Sequence, residues 1–244
     1  MESSAGYGVP MEHGKGGTTV TDDPRFSVAL FTIEEGSRHL GIAASTLRDW
    51  TRRMAGPAPL VHRVTPSSPR AASLPFIGAI EAHMLRGFKD LGLAPGELRT
   101  AVTRLRRDTG DEYALATRDV ATDGASLLVN MVESQAELPQ WVRARDGQQA
   151  ITEAINRYLK YVTWRASERY PLRLALKAYQ GADVIIDPRF AFGQPVLKRE
   201  KVRVEDILDA FWAGESYTTI AGEFGVSPDA VEAVIRSATR RRAA

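Results

Sequence analysis

The sequence predicts a mainly α-helical protein with small β elements: an N-terminal winged helix-turn-helix followed by a C-terminal, small, helical, helix-turn-helix-like domain. Three observations carry this expectation. Apolar residues recur at spacings of three and four through most of the chain. Two well-separated stretches each read as a short helix, a glycine turn and a second short helix. The β-prone runs between them are brief.

Taken in order, residues 1–24 are rich in Gly, Ser and Thr with few large hydrophobes, and are expected to form a disordered tail. Gly14-Lys15-Gly16-Gly17-Thr18-Thr19 lacks the spacing of a phosphate loop, and no strand precedes it. Order is expected to begin near Phe26, opening a domain over residues 25–107. Thr32 to Leu40 reads as a helix, because Thr32 and Glu35 stand as a capping box. Gly41-Ile42 is a tight turn, and Ser45 to Met54 a second helix with Leu47 and Trp50 on one face. Gly56, Pro57 and Pro59 end it. Leu60–Val64 and Ser73–Phe76 flank a Pro- and Ser-rich loop and suggest a small hairpin. Ile77, Ile80, Met84, Phe88 and Leu91 predict a long helix with one buried stripe. Gly92 ends it, and Pro95 and Glu97 open another helix that closes on Arg106-Arg107.

Residues 108–182 form a connecting α/β region. Tyr113–Arg118 and Leu127–Val132 are β-prone around the turn Thr122-Asp123-Gly124. Gln148–Trp164 has helical spacing, while Leu172–Leu176 and Val184–Ile186 read as strands. The last domain, residues 183–244, turns through Asp187-Pro188 and Phe192-Gly193-Gln194-Pro195. It continues in three short helices, 204–213, 217–224 and 227–237. Ser227-Pro228 is an N-cap followed by proline at the first helical position.

Composition narrows the function. The 244 residues are 43% hydrophobic and 25% charged, which is ordinary for a soluble protein with a real core. No apolar run reaches the roughly 18–20 residues of a membrane helix. No basic segment followed by an apolar stretch suggests a signal peptide, and cysteine is absent. A cytoplasmic protein without cofactor or metal is expected. No Ser/His/Asp set or glycine-rich cofactor loop stands at credible spacing, so an enzyme is not expected. Net charge is only +2, but its distribution is uneven. From Arg25 to Arg70, seven arginines face three acids, a net +4. From Val204 to Arg236, seven acids face one arginine, a net −6. The first end suits phosphates; the second would be repelled by them.

A DNA-reading helix must expose polar and basic side chains near its start. Ser45, Thr46, Arg48, Arg52 and Arg53 fill that role, and Arg63 and Arg70 on the following loop suit phosphate contact. The residues Phe31-Thr32-Ile33-Glu34-Glu35, Leu40-Gly41-Ile42 and Ser45-Thr46-Leu47-Arg48-Asp49-Trp50 resemble the DNA-binding domain of the MerR family, over roughly Phe31 to Leu105. Two positions depart from that pattern: Gly36 replaces a helix-favouring alanine, and Ala43 replaces a serine cap.

The run Ile186-Asp187-Pro188-Arg189, Phe192-Gly193-Gln194-Pro195-Val196, Ala213-Gly214-Glu215-Ser216 and Phe224-Gly225-Val226-Ser227 is similar to a small antitoxin domain first described as domain of unknown function 433. Where that family commonly has Gly-Thr-Arg-Ile, this chain has Lys198 to Val204. Together the two resemblances imply a VapB-type antitoxin. They imply operator DNA and a PIN-type ribonuclease toxin as partners, with a homodimer matching a palindromic operator. The helical end domain serves dimerisation or toxin contact in preference to DNA, because Asp229 and Glu232 lie on its would-be reading helix. Arg240, Arg241 and Arg242 are either an arginine plug for the toxin's acidic centre or a solvated basic tail. The dimer interface falls in Tyr113–Val132 or the helices after it. A MerR-like regulator without a toxin is the alternative reading.

Overall fold

The computed structural model describes residues 23–52, 58–90, 92–120, 153 and 156–242, with 240–242 described by backbone alone. The chain enters through α1 (Pro24–Ser27), capped by Asp23, and β1 (Ala29–Phe31). It continues into α2 (Ile33–Leu40) and α3 (Ala44–Thr51). After the loop come β2 (Leu74–Pro75), α4 (Phe76–Asp90) and α5 (Pro95–Thr109). Four short strands follow: β3 (Val162–Thr163), β4 (Arg173–Ala175), β5 (Val184–Ile186) and β6 (Val196–Leu197). They form one antiparallel meander in the order β3-β4-β5-β6. Three helices close the chain: α6 (Val204–Trp212), α7 (Tyr217–Phe224) and α8 (Pro228–Arg242). The result is mainly α with small β elements, as the periodicity implies.

The helix α4 is the hub. Every residue from Phe76 to Leu85 is buried, so the expected single stripe is an underestimate. The reason is packing on several sides at once: α1, α2, β2, α5 and a 3₁₀ turn at Ala114–Ala116 all meet it. That turn also corrects the β-prone reading of Tyr113–Arg118. Ala114, Leu115 and Ala116 are all buried, with no alternation for a sheet face, and the Asp111 carboxylate accepts from the Tyr113 N–H at 2.8 Å to set the turn. Leu127–Val132 lies outside the described residues, as do 148–152, 154 and 155 of the Gln148–Trp164 segment. The chain is helical at 156–159, but Val162 has left the helix and pairs with Leu174 in the meander.

The expected hairpin of Leu60–Val64 with Ser73–Phe76 is also revised. Leu74–Pro75 pairs antiparallel with β1, not with Leu60–Val64. A single bond, Val64 N–H to Ser73 C=O at 2.8 Å, closes the base of the loop, and Ser73 N–H donates to Phe31 C=O at 2.8 Å. The wing is therefore a loop sprung from a two-stranded sheet. Pro66 and Pro69 donate no N–H, which disfavours a ladder through it.

Gly36 has a packing reason. A Cβ there would stand 2.7 Å from Leu74 Cδ2 and 3.4 Å from Leu47 Cδ2, so the missing methyl admits the two leucines that join β2 and α3 to α2.

One apolar core runs through all three stretches of chain, from Phe26 and Trp50 through Val162 and Leu174 to Ile207 and Val234. Polar ties reinforce it. Arg25 donates to the Glu168 carboxylate at 2.7 Å and to the carbonyls of Tyr170 and Pro171 at 3.3 Å. It is thus a structural clasp, not part of an exposed basic cluster. The Gln194 amide donates to Leu30 C=O at 3.0 Å, and His39 Nδ1 lies 2.9 Å from the Tyr179 hydroxyl.

Candidate nucleic-acid interface

The site is built from the α2 cap onwards. Thr32 Oγ1 accepts from Glu35 N–H at 3.1 Å, and the Glu35 carboxylate accepts from Thr32 N–H at 2.8 Å, completing the capping box. At the other end Gly41 sits in the left-handed region (φ 64°), which an L side chain enters only at a cost. Ile42 N–H bonds back to Ser37 C=O at 3.1 Å. The Arg86 guanidinium, from α4, donates to Leu40 C=O at 2.6 Å, where α2 leaves its last carbonyls without helical partners. This corner fixes the direction of α3.

In α3, Leu47 and Trp50 are buried and anchor the inner face. Val61 N–H donates to Trp50 C=O at 3.0 Å, tying the returning chain to its end. Ser45, Arg48 and Arg52 are exposed, and Thr46 is half-buried. Arg48 pairs with Glu34 at 2.8 Å, but both side chains are more than half exposed, so the pair is worth under about 1 kcal/mol and yields readily to a phosphate. Arg63 and Arg70 are exposed on the wing loop. Arg53 lies outside the described residues. Arg240, Arg241 and Arg242 do not form a separate tail: the backbone carries them as the last turn of α8. Cations are favoured at such a C-terminus by the helix dipole.

Sequence reasoning misses two things. Lys89, near the end of α4, donates to Thr46 Oγ1 at 3.1 Å and so adds a cation beside the start of α3. Behind the wing, Glu81 is fully buried. Its carboxylate accepts from His62 N–H at 2.7 Å, lies 2.8 Å from His62 Nδ1 and takes Arg106 Nη2 at 3.2 Å. Arg106 also donates to Pro59 C=O at 2.7 Å and Leu60 C=O at 3.2 Å. Burial works against the charged form of His62, but Glu81 outweighs it and the imidazole is held above its usual range. The cluster pins the 59–62 segment, and hence the wing's root, to α4 and α5. The signal was present: Glu81 is an acid four residues after Ile77 and three before Met84, on the apolar face of its helix.

The closing helices repeat the same architecture. Ser216 caps α7 through Thr219 N–H at 3.1 Å, and Gly225 (φ 64°) turns the chain into α8. Here the exposed residues at the start of the second helix are Asp229 and Glu232. Asp187, fully buried, accepts from Arg189 N–H at 3.1 Å and from its guanidinium at 2.9 and 2.7 Å. Burial alone would raise the Asp187 pKa, but these bonds hold it below the usual carboxylate range. It braces a turn.

Among the described residues no helix is long and apolar enough to cross a membrane, and no group of His, Asp or Glu is placed to hold a metal ion. Residues 29–102 match the family described as "Putative DNA-binding HTH domain". Residues 184–237 match the family described as "Protein of unknown function (DUF433)". The crystal structure of Rv2018 from Mycobacterium tuberculosis is similar, with a TM-score of 0.71 at 28% identity, covering 86% of this chain and 99% of that one. A curated Mycobacterium tuberculosis protein, "Putative antitoxin VapB45", is 33% identical over 221 residues, which is 84% of this chain and 92% of the relative. The chain therefore belongs to the VapB45 antitoxin family and carries a helix-turn-helix of the DNA-binding kind.

Proposed function

We propose that this chain is the non-catalytic, cytoplasmic antitoxin of a type II toxin–antitoxin pair, which neutralises a PIN-type, VapC-like ribonuclease and represses its own operon as a homodimer. One observation carries the reading: similarity to an antitoxin extends over most of the chain and includes a helix-turn-helix whose second helix turns its cations to solvent.

In this reading residues 25–107 read DNA, 108–182 connect, and 183–244 meet protein. The exposed side of α3 enters the major groove. Ser45, Thr46, Arg48, Arg52 and Arg53 reach base edges and nearby phosphates, and Lys89 supplements them. Arg63 and Arg70 hold the adjacent backbone. One such unit reads a half-site, and two-fold symmetry places a second about 34 Å away. PIN-type toxins cut RNA with metal ions held by carboxylates. A guanidinium from Arg240, Arg241 or Arg242 pairs with such carboxylates in a planar fork.

The test is co-expression with the neighbouring open reading frame, expected to encode a PIN-like protein, with growth and co-purification as readouts. The full chain is expected to restore growth and to carry the toxin through purification. Truncation after Thr239 is expected to abolish rescue while leaving the electrophoretic shift of its own promoter within about threefold. Full rescue by the truncated protein would remove the arginine plug; no rescue by the full chain would remove the toxin pairing.

A further inference from the structure

Four large hydrophobic side chains are exposed among the described residues, and three of them lie in the last quarter of the chain: Phe192, 92% exposed, Trp212 and Tyr217. Phe192 is held out deliberately. It and Ala191 both take left-handed backbone, φ 53° and 47°, and the one other described non-glycine residue with positive φ is Lys201 at 65°. Lys201 stands over the ring of the neighbouring Phe190, its Nζ 4.8 Å from the centroid, and Arg189 Cζ lies 5.4 Å from it. The loop is stiff: Phe190 N–H donates to Asp187 C=O, Gly193 N–H to Phe190 C=O, and the Gln194 side chain to Leu30 C=O, all between 2.8 and 3.0 Å. Strain that the surroundings over-determine marks a contact site. The knob is rigid, apolar at its tip and basic around it. Of the five cations in residues 188–203, Arg189, Lys198 and Arg203 pair with Asp187, Asp183 and Asp206, so the charge offered around the knob is that of Arg199 and Lys201.

The second feature is its complement. The Phe211 ring packs at a tilt against Trp212, with centroids 4.9 Å apart, and against Tyr217 at 5.7 Å, making an aromatic patch where α6 meets α7. Exposed Asp209 lies three residues before Trp212, one helical step along the same face, with exposed Glu205 a turn further. No Lys or Arg occurs from Val204 to Ile235. Anchors of this kind, Trp and Tyr in an apolar patch, dominate protein interfaces.

We infer that the knob of one copy seats on the aromatic patch of a second copy, and reciprocally, so that the C-terminal modules form the two-fold interface. Charge excludes the other occupants. DNA would accept the basic knob but be repelled by the acidic patch. A basic protein would accept the patch but not the knob. A second copy of this chain satisfies both. A knob 92% exposed in its own chain is not seated on its own patch. This rests on the homodimer reading above and names its surface, away from the connecting region.

Sedimentation equilibrium of the full chain without toxin or DNA decides it, with circular dichroism to check folding. The wild type is expected to be a dimer. Phe192→Ala and Trp212→Ala are each expected to weaken dimerisation by roughly thirtyfold or more, as loss of an interface anchor does. Lys201→Glu and Asp209→Lys are each expected to weaken it by about tenfold, and the double substitution to recover most of that loss. A monomeric wild type would overturn the dimer itself. A dimer indifferent to Phe192→Ala and Trp212→Ala would overturn this interface alone. Loss of operator affinity in Phe192→Ala with the dimer intact would also overturn it, by giving the knob to DNA.

Discussion

The segment from Thr32 to Thr51 and the segment from Ser216 to Arg242 turn the same corner. Each opens on a hydroxyl cap 3.1 Å from an N–H three residues on, runs eight helical residues, and ends on a glycine at φ 64°. Each then returns one N–H to a carbonyl five residues back, Ile42 to Ser37 at 3.1 Å and Val226 to Ala221 at 3.0 Å. What differs is on the outside. The second helix of the first unit exposes Arg48, with Asp49 beside it, and Arg52 follows as its C-cap; that of the second exposes Asp229 and Glu232. Backbone geometry therefore does not decide whether a helix-turn-helix meets DNA. In the proposed reading the charge on and beside the second helix does, because phosphate neutralisation supplies much of the affinity.

The largest expected effect tests that statement. Arg48→Glu with Arg52→Glu should lower operator affinity at least about a hundredfold and reduce the salt dependence of log K by nearly two units, as loss of two phosphate contacts requires. Asp229→Ser with Glu232→Gln should leave affinity within about threefold. Electrophoretic shifts over a salt series read both. If the acidic unit responded as strongly as the basic one, the two corners would share the task and the contrast drawn here would fail.

A smaller effect separates the two glycines. Either one replaced by Ala incurs the left-handed strain of about 1–2 kcal/mol. At Gly225 nothing stands within 4 Å of the added Cβ, so the cost ends there. At Gly41 the Cβ would stand 2.7 Å from Arg86 Nη1, the atom that donates to Leu40 C=O. Displacing it adds about 1 kcal/mol for the lost bond. Chemical denaturation should therefore find Gly41→Ala the more destabilising by about that much. Equal losses would show that Arg86 contributes nothing to the corner.

Much of this was legible before any coordinates, and the reason is locality. Caps, glycine turns and apolar spacing act within four residues, so Thr32 and Gly41 declare the first corner and Ser227 the start of the last helix. The alternation of Leu172 to Leu176 likewise declares β4. What depends on distant partners was hidden. Leu74 looks ready to pair with the segment before it, yet β1 takes it, because the loop between carries two prolines. Tyr113–Arg118 looks like a strand, but its middle, Ala114–Ala116, is a buried 3₁₀ turn packed against α4 and α5. Arg25 counts as one more cation in a basic run until Glu168, 143 residues away, is seen to hold it. For the interface, residue type and exposure of Arg48 and Arg52 follow from the helix. Lys89 reaches Thr46 only because α4 is folded across it.

The smallest effect concerns the start of the second helix in each corner. Ser227 Oγ accepts from Ala230 N–H at 3.2 Å, so α8 begins with one of its free donors satisfied. Ala43 occupies the same position before α3 and makes no such bond, although its backbone, φ −59° and ψ 136°, is extended as a cap requires. Exchanging the two residues should exchange the energies. Ser227→Ala should cost about 1 kcal/mol, and Ala43→Ser should gain up to about as much, each read as a shift in the denaturation midpoint. Ala43 stands at the entrance of α3, the helix proposed to read DNA, so the same variant carries a second readout. If Ala43→Ser gains stability with operator affinity unchanged, the missing cap is a vacancy in the fold alone. If it gains stability and loses affinity, the uncapped N–H groups of α3 are themselves reserved for a phosphate, as helix N-termini commonly are.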